Sequence, residues 1–399
     1  MRRRFPTENP MRSSFSTALA ALTVAGALAG GCAGNTSATS SQSSSSLGGD
    51  SADRSAGASV RSQLGAGLEP AAGSSCDSSS TIGAGASMLP DTKADKTGGT
   101  LFVSIGNSAV REFYGSGTDP NPFGTLTAQL GHPRGVSVDS HGTLYVANYD
   151  SASGPGDVVE FPEGQDKPTV TLSYQLDRPI FAAADNKGNV YVINDAGGPI
   201  LIFPPGSSSS PSQLGGFDYP TSLAFDSSWN LYVVDRAYGS SAPLGAVFEI
   251  AAGSQVKTNL GLTGLNSPVG IAIDSSNDLF VSNLGNNTVT EYAPGATVPK
   301  LTISDGLCYP WNLALNASND LFVVNLGAPP KGNVLVYGPN STSPLAALSK
   351  LNDPQGVAVN PNYPATPSPK PTRTPKPKPT PTPTPTAVQF PTPTPTPVP

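Results

Sequence analysis

The chain has 399 residues and a net charge of −6; charged side chains make up only 13% of it, against 43 Gly and 42 Pro. Residues 99–362 carry 10 Lys and Arg against 21 Asp and Glu, a net of −11, which argues against nucleic acid as a partner because phosphate contacts need a basic surface. The Ser, Gly and Ala bias of residues 33–98 and the Pro-Thr alternation of 363–399 confine the foldable part to 99–362.

Residues 1–32 read as an export signal. Arg2, Arg3, Arg4 and Arg12 precede an apolar run from Ala18 to Leu28, followed by Ala29-Gly30-Gly31-Cys32. The run is too short to span a bilayer stably and has the layout of a cleavable signal. Small residues directly before a Cys resemble the lipobox of bacterial lipoproteins, which implies diacylation of Cys32 and a membrane anchor. Ala29 stands where that family usually has Leu, with Leu28 one place further back. An ordinary secretory signal is the other reading, and either one exports the domain. Residues 33–98 have few aliphatic or aromatic side chains to bury and are expected to be a disordered tether, with a reach on the order of 45 Å. Cys76 lies in this tether and Cys308 in the domain. In an exported protein they could form a disulfide or stay as two free thiols, and both readings stand.

A unit then recurs: Pro-x-Gly-Val-Ala-Val-Asp, four residues, Leu-Tyr-Val-x-Asn. It starts at Pro133, Pro179, Pro220, Pro268 and Pro310, with a stub at Pro354, at intervals of 46, 41, 48, 42 and 44 residues. Several short strands in a period near 40–50 residues mark a propeller blade. Leu101-Phe102-Val103-Ser104, the first repeat-like segment, begins at the second strand of a unit; the stub, Pro354 to Asn360, holds only the first. Together they complete one blade. The expectation is an all-β, six-bladed propeller over 99–362, closed by a composite blade of N- and C-terminal strands and flanked by disordered tails.

Within a blade, Gly270-Ile271-Ala272-Ile273 alternates small and large residues, which places the two sets on opposite sheet faces. Small residues there should let crowded inner strands wedge against a neighbour's large ones. Phe181, followed by Ala182, Ala183 and Ala184, inverts the pattern as a compensated size swap. Asp274 opens the turn into Leu279-Phe280-Val281-Ser282, and Tyr292-Ala293-Pro294-Gly295 ends the third strand. The Gly-Val-Ala-Val-Asp and Leu-Tyr-Val-x-Asn elements resemble the NHL-repeat family of six-bladed propellers. That resemblance implies the fold over roughly 99–362 but no activity, since such propellers support lyases, lactonases and binding modules alike.

The second strands end on Asn148, Asn194, Asp235, Asn283 and Asn325. Converging oxygens on an axis could hold Ca²⁺, as gluconolactonase-like propellers do, but a position repeated in every blade is more simply a loop-forming residue. Only His132 and His141 exist, at opposite ends of one inner strand, and there is neither a nucleophile elbow nor a phosphate loop. No catalytic residue is assigned. Loops entering the inner strands and leaving the second strands share one face. Its non-repeating residues are His132, Arg134, Arg178, Tyr219, Arg236, Tyr238, Tyr309 and Trp311. Aromatic and Arg side chains of this kind suit recognition of a glycan, a cell-wall polymer or a protein, and the other reading is scattered loop residues that pack between blades. Residues 363–399, with Lys370, Arg373, Lys376, Lys378 and no acid, form an extended Pro/Thr tail that is either a wall-binding segment or an inert spacer. The reading is a binding or scaffolding module at the cell envelope, lipid-anchored or otherwise secreted. The alternative is a lactonase- or lyase-like enzyme with a divalent ion on the axis.

Overall fold

The structure, a computed structural model, describes residues 99–360 apart from 107, 118, 120, 151–153, 237–244, 328–331 and 350. The signal, the tether with Cys32 and Cys76, the Pro/Thr tail and Tyr238 therefore lie outside the described residues.

Short runs rich in Val, Ile, Leu and Phe, each broken by Asp, Asn, Gly or Pro, cannot make long helices or long strands. They fold as six antiparallel sheets of four strands each. The first sheet contains β1 (Thr100–Ile105), β2 (Ala109–Tyr114) and β3 (Gly124–Leu126). The second is β4 (Pro133–Val138), β5 (Leu144–Asn148), β6 (Asp157–Phe161) and β7 (Val170–Leu172). The third is β8 (Pro179–Ala184), β9 (Val190–Asn194), β10 (Ile200–Phe203) and β11 (Ser212–Leu214). The fourth is β12 (Pro220–Phe225), β13 (Leu231–Asp235), β14 (Ala246–Ile250) and β15 (Lys257–Asn259). The fifth is β16 (Pro268–Ile273), β17 (Leu279–Asn283), β18 (Thr288–Tyr292) and β19 (Leu301–Ile303). The sixth is β20 (Pro310–Leu315), β21 (Leu321–Asn325), β22 (Asn333–Tyr337) and β23 (Ala346–Leu348). The last strand, β24 (Pro354–Asn360), joins the first sheet beside β1, from Thr100↔Asn360 to Ile105↔Pro354. The composite blade is thus formed as the repeat arithmetic requires, and pairing of the two ends of the domain closes the ring.

The core is divided among the blade interfaces. One cluster sets Phe102, Val110 and Leu126 of the first blade against Val136, Val146 and Phe161 of the second. Five more clusters fill the remaining interfaces around the ring. The small residues of the inner strands work somewhat differently from the expectation. A Cβ on Gly135 or Gly356 would sit 2.5 Å from the next blade's backbone oxygen, on Ile180 or Arg134, and Gly270 is closer still to the oxygen of Trp311. The small residue therefore admits a neighbour's carbonyl, and at Gly135 a large side chain as well, since a Cβ there would also sit 2.5 Å from the Phe181 ring. Ser282 Oγ then donates to Trp311 O at 2.6 Å, and Ser104 Oγ donates to Arg134 O in the same way. Phe181 fits because Gly135 leaves its ring room.

Candidate functional site

In each of the five complete blades the proline opening the inner strand pairs with the Asn or Asp closing the second: Pro133↔Asn148, Pro179↔Asn194, Pro220↔Asp235, Pro268↔Asn283 and Pro310↔Asn325. Both loop sets therefore meet at one end of the ring, its mouth. The Asn/Asp residue binds backbone there. Its side-chain oxygen accepts an amide from exactly seventeen residues earlier in every complete blade: Gly131, Asp177, Asp218, Asn266 and Cys308 donate to Asn148, Asn194, Asp235, Asn283 and Asn325. It clamps the loop entering its own blade, and in three blades its Nδ2 also donates across the loop that follows, from Asn148 to Asp157, Asn283 to Thr288 and Asn325 to Asn333. The clamp has work to do. Arg178, Ser267 and Tyr309 enter the strand with φ of 52°, 47° and 50°, a left-handed conformation unfavourable for residues with a Cβ. The oxygens offered to Ca²⁺ in the alternative reading already accept backbone hydrogens. Among the described residues, no group of three or more His, Cys, Asp or Glu is placed to hold a metal ion.

One residue further on, the amide of Tyr149, Asp195, Arg236, Leu284, Leu326 or Gly106 donates to the carbonyl of the residue before the inner-strand proline: His132, Arg178, Tyr219, Ser267, Tyr309 or Asp353 respectively. Six equivalent pairs thus ring the mouth, and the side chains of the five in the complete blades divide into two arcs. In blades two to four they are polar and linked. Tyr149 Oη donates to Asp195 Oδ2 at 2.9 Å, and Tyr219 Oη donates to Asp195 Oδ1 at 2.8 Å. The Arg134 guanidinium lies 4.1 Å from the centroid of the Tyr149 ring, with that of Arg178 5.8 Å away. In blades five and six the arc is apolar. Leu284 and Leu326 are buried with Val269, and Tyr309 and Trp311 pack against them.

The electrostatics of the polar arc follow from its partial burial. Arg134 is 4% exposed and Arg236 3%, yet the Nε of each has no acceptor. Burial pushes the Arg236 guanidinium down to about 10, opposed by Tyr219 and Asp195. The Tyr149 and Tyr219 phenols are pushed up, first by burial and then by the Asp195 carboxylate. His132 is held below its usual range by burial and by Arg134, against the pull of Asp150 and Asp353.

Of the eight mouth residues read from the sequence, Arg134, Arg178, Tyr219 and Arg236 share the polar arc. His132 borders it, with its ring 5.9 Å from that of Tyr149. Tyr309 and Trp311 lie on the apolar arc, and Tyr238 is outside the described residues. The hub itself, Tyr149 and Asp195, went unread. Its signal was present, because both follow a clamp residue as Arg236 does. Cys308 is buried and disulfide-bonded, with its partner outside the described residues.

The architecture defines the class: a six-bladed β-propeller with a composite closing blade, a fold suited in general to binding or scaffolding. No protein-family model matches the chain, and no curated protein matches it. Among solved structures, one titled as a nidogen/laminin complex is similar, with a TM-score of 0.54 and 15% identity, over 66% of this chain and 98% of that one. At that identity the likeness carries the fold alone.

Proposed function

We propose that this chain is an NHL-type propeller of bacterial origin, exported and held at the cell envelope by a lipid on Cys32, and that it binds a partner at the mouth. The observation that carries the reading is the linked set Arg134, Tyr149, Asp195 and Tyr219, with Arg236 within the electrostatic reach of Asp195 and Tyr219. These non-repeating side chains gather at one end of a ring whose repeating atoms are engaged in holding backbone. The partner proposed is a protein; the similar solved structure is by its title a protein complex. A Cys76–Cys308 disulfide, tying the tether to the ring, belongs to the same proposal.

A photo-crosslinking residue in place of Arg178, on the mouth, tests the reading in intact cells. The same residue in place of Val256, which is 73% exposed on the opposite face, is the control. Capture at 178 and none at 256 is expected. Equal capture on both faces, or none at either, overturns the reading. Palmitate incorporation that disappears in Cys32→Ala tests the anchor separately. Calcium retained through purification and lost in Asn148→Ala and Asn283→Ala together would favour the metal-dependent enzyme instead.

A further inference from the structure

We infer that the mouth receives a single carboxylate, an acidic side chain on an otherwise uncharged peptide segment of a partner protein, seated between Arg134 and Arg236. This rests on the mouth being the binding face.

Buried arginine is normally paired, because a desolvated cation with no counter-charge is unfavourable. Neither Arg134 nor Arg236 forms an ion pair among the described residues, and the Nε of each lacks an acceptor. Arg178, at the surface, instead pairs with Asp177 at 3.4 Å. The acid in the polar arc, Asp195, has its two oxygens engaged by the hydroxyls of Tyr149 and Tyr219. Two further buried polar atoms without partners, Thr221 Oγ1 and Gln355 Oε1, are on inner-strand residues at the same register as Arg134. The blade itself does not require a cation here, since Leu284 and Leu326 fill the Arg236 position in blades five and six.

A guanidinium fork matches a planar carboxylate. The same mouth disfavours a polyanion, because Asp150, Asp177, Asp218 and Asp353 stand in its loops and residues 99–362 carry a net of −11. One carboxylate with neutral flanks fits both facts. Partly buried Tyr309 and Trp311 on the other arc offer an apolar surface to those flanks.

The test uses the full chain and four probes followed by ligand-observed NMR: acetyl-Ala-Asp-Ala-amide, its Asn counterpart, propionate and inorganic phosphate. The Asp peptide is expected to bind about tenfold or more tighter than the Asn peptide, which cannot supply the charge. Propionate should be weaker than the Asp peptide, and binding should be lost in Arg134→Met/Arg236→Met. Without probe, that variant should melt at the wild-type temperature or above it, because it removes two unpaired buried charges. If it does not fold, Arg134→Lys/Arg236→Lys serves in its place, keeping charge but losing the fork and most of the binding.

Equal binding of the Asp and Asn peptides, or Asp-peptide binding that survives loss of both arginines, overturns the inference. A lower melting temperature with binding unchanged assigns the arginines to structure and also overturns it. Preference for phosphate overturns the carboxylate, and propionate binding as tightly as the peptide overturns the peptide carrier. Crosslinking at position 178 that persists through any of these failures leaves the mouth as the binding face and removes only its chemistry.

Discussion

The two arcs of the mouth share one backbone and differ in side chains. Tyr149, Asp195 and Arg236 on one arc, and Leu284 and Leu326 on the other, occupy the same register and donate the same amide hydrogen bond. Leucine there is buried in the core, at 1% and 6% exposure, and costs the blade nothing. The position is therefore neutral for the fold, and its polar occupants need another explanation. Tyr149 and Asp195 bond to each other, but the buried Arg236 Nε has no acceptor, a cost that natural sequences tolerate where function requires it. The apolar arc shows what the ring would do at these positions with no such requirement.

The largest expected effect comes from removing what closes the ring between the arcs. Deleting residues 354–360 takes away β24 with buried Val357 and the Gln355–Asp353 contact, and leaves β1 as an open edge. Each buried Val or Leu whose contacts are lost costs about 1.5–3 kcal/mol, and a domain has only about 5–15 kcal/mol in hand. The cooperative thermal transition should disappear, while deletion of 363–399 leaves it in place; circular dichroism distinguishes the two.

Exchanging the arcs comes next. Leu284→Arg puts an unpaired charge in the apolar arc and should cost about 3–5 kcal/mol by urea unfolding. Arg236→Met, the reverse exchange, should cost nothing. Equal losses from both substitutions would mean that the arcs are structurally alike and that the comparison fails. The clamp residues should ignore the division altogether. Asn148→Ala in the polar arc and Asn283→Ala in the apolar arc each leave a partly buried amide unmatched, and each should lose about 1 kcal/mol. A loss confined to one arc would show that the repeat carries more than structure.

The smallest effect lies away from the mouth and depends on pH. Glu291 of β18 is joined to Lys300 at 2.8 Å, whereas Glu112, at the matching place in β2, has no paired cation among the described residues. Burial first, and Asp166 second, push the Glu112 carboxyl from 4.5 up to about 7. A carboxyl raised in the folded state binds more protons there than in the unfolded chain. Its neutral form therefore favours the fold below pH 4.5, and that advantage is lost as pH rises through about 7. Glu112→Gln should flatten the fall in urea midpoint between pH 5 and pH 8. An unchanged slope would remove Glu112 as its source.

Much of the fold was legible because its signals are local and repeated. The proline spacing, the Asp turns and the alternation in Gly270–Ile273 each report one strand, and β24 with β1 was readable as two halves of one repeat. The site was legible only in part. Arg134, Arg178, Tyr219 and Arg236 stood out as rare residue types in the correct loops. Tyr149 and Asp195 did not, because a Tyr and an Asp beside an Asn look like ordinary loop residues. Their role comes from a contact across blades, Tyr149 to Asp195 to Tyr219, spanning residues far apart in the chain.

The sequence by itself determined the number of blades, the seam that closes them and the face on which unlike residues collect, because each depends on period and strand direction. Only the tertiary structure decided which of those residues meet. It placed Arg134, Tyr149, Asp195, Tyr219 and Arg236 on one arc, and Tyr309 and Trp311 on the other. Neighbourhood around a ring is fixed by the rotation between blades and the packing of their interfaces, and a linear repeat carries no record of which side chains that rotation brings together.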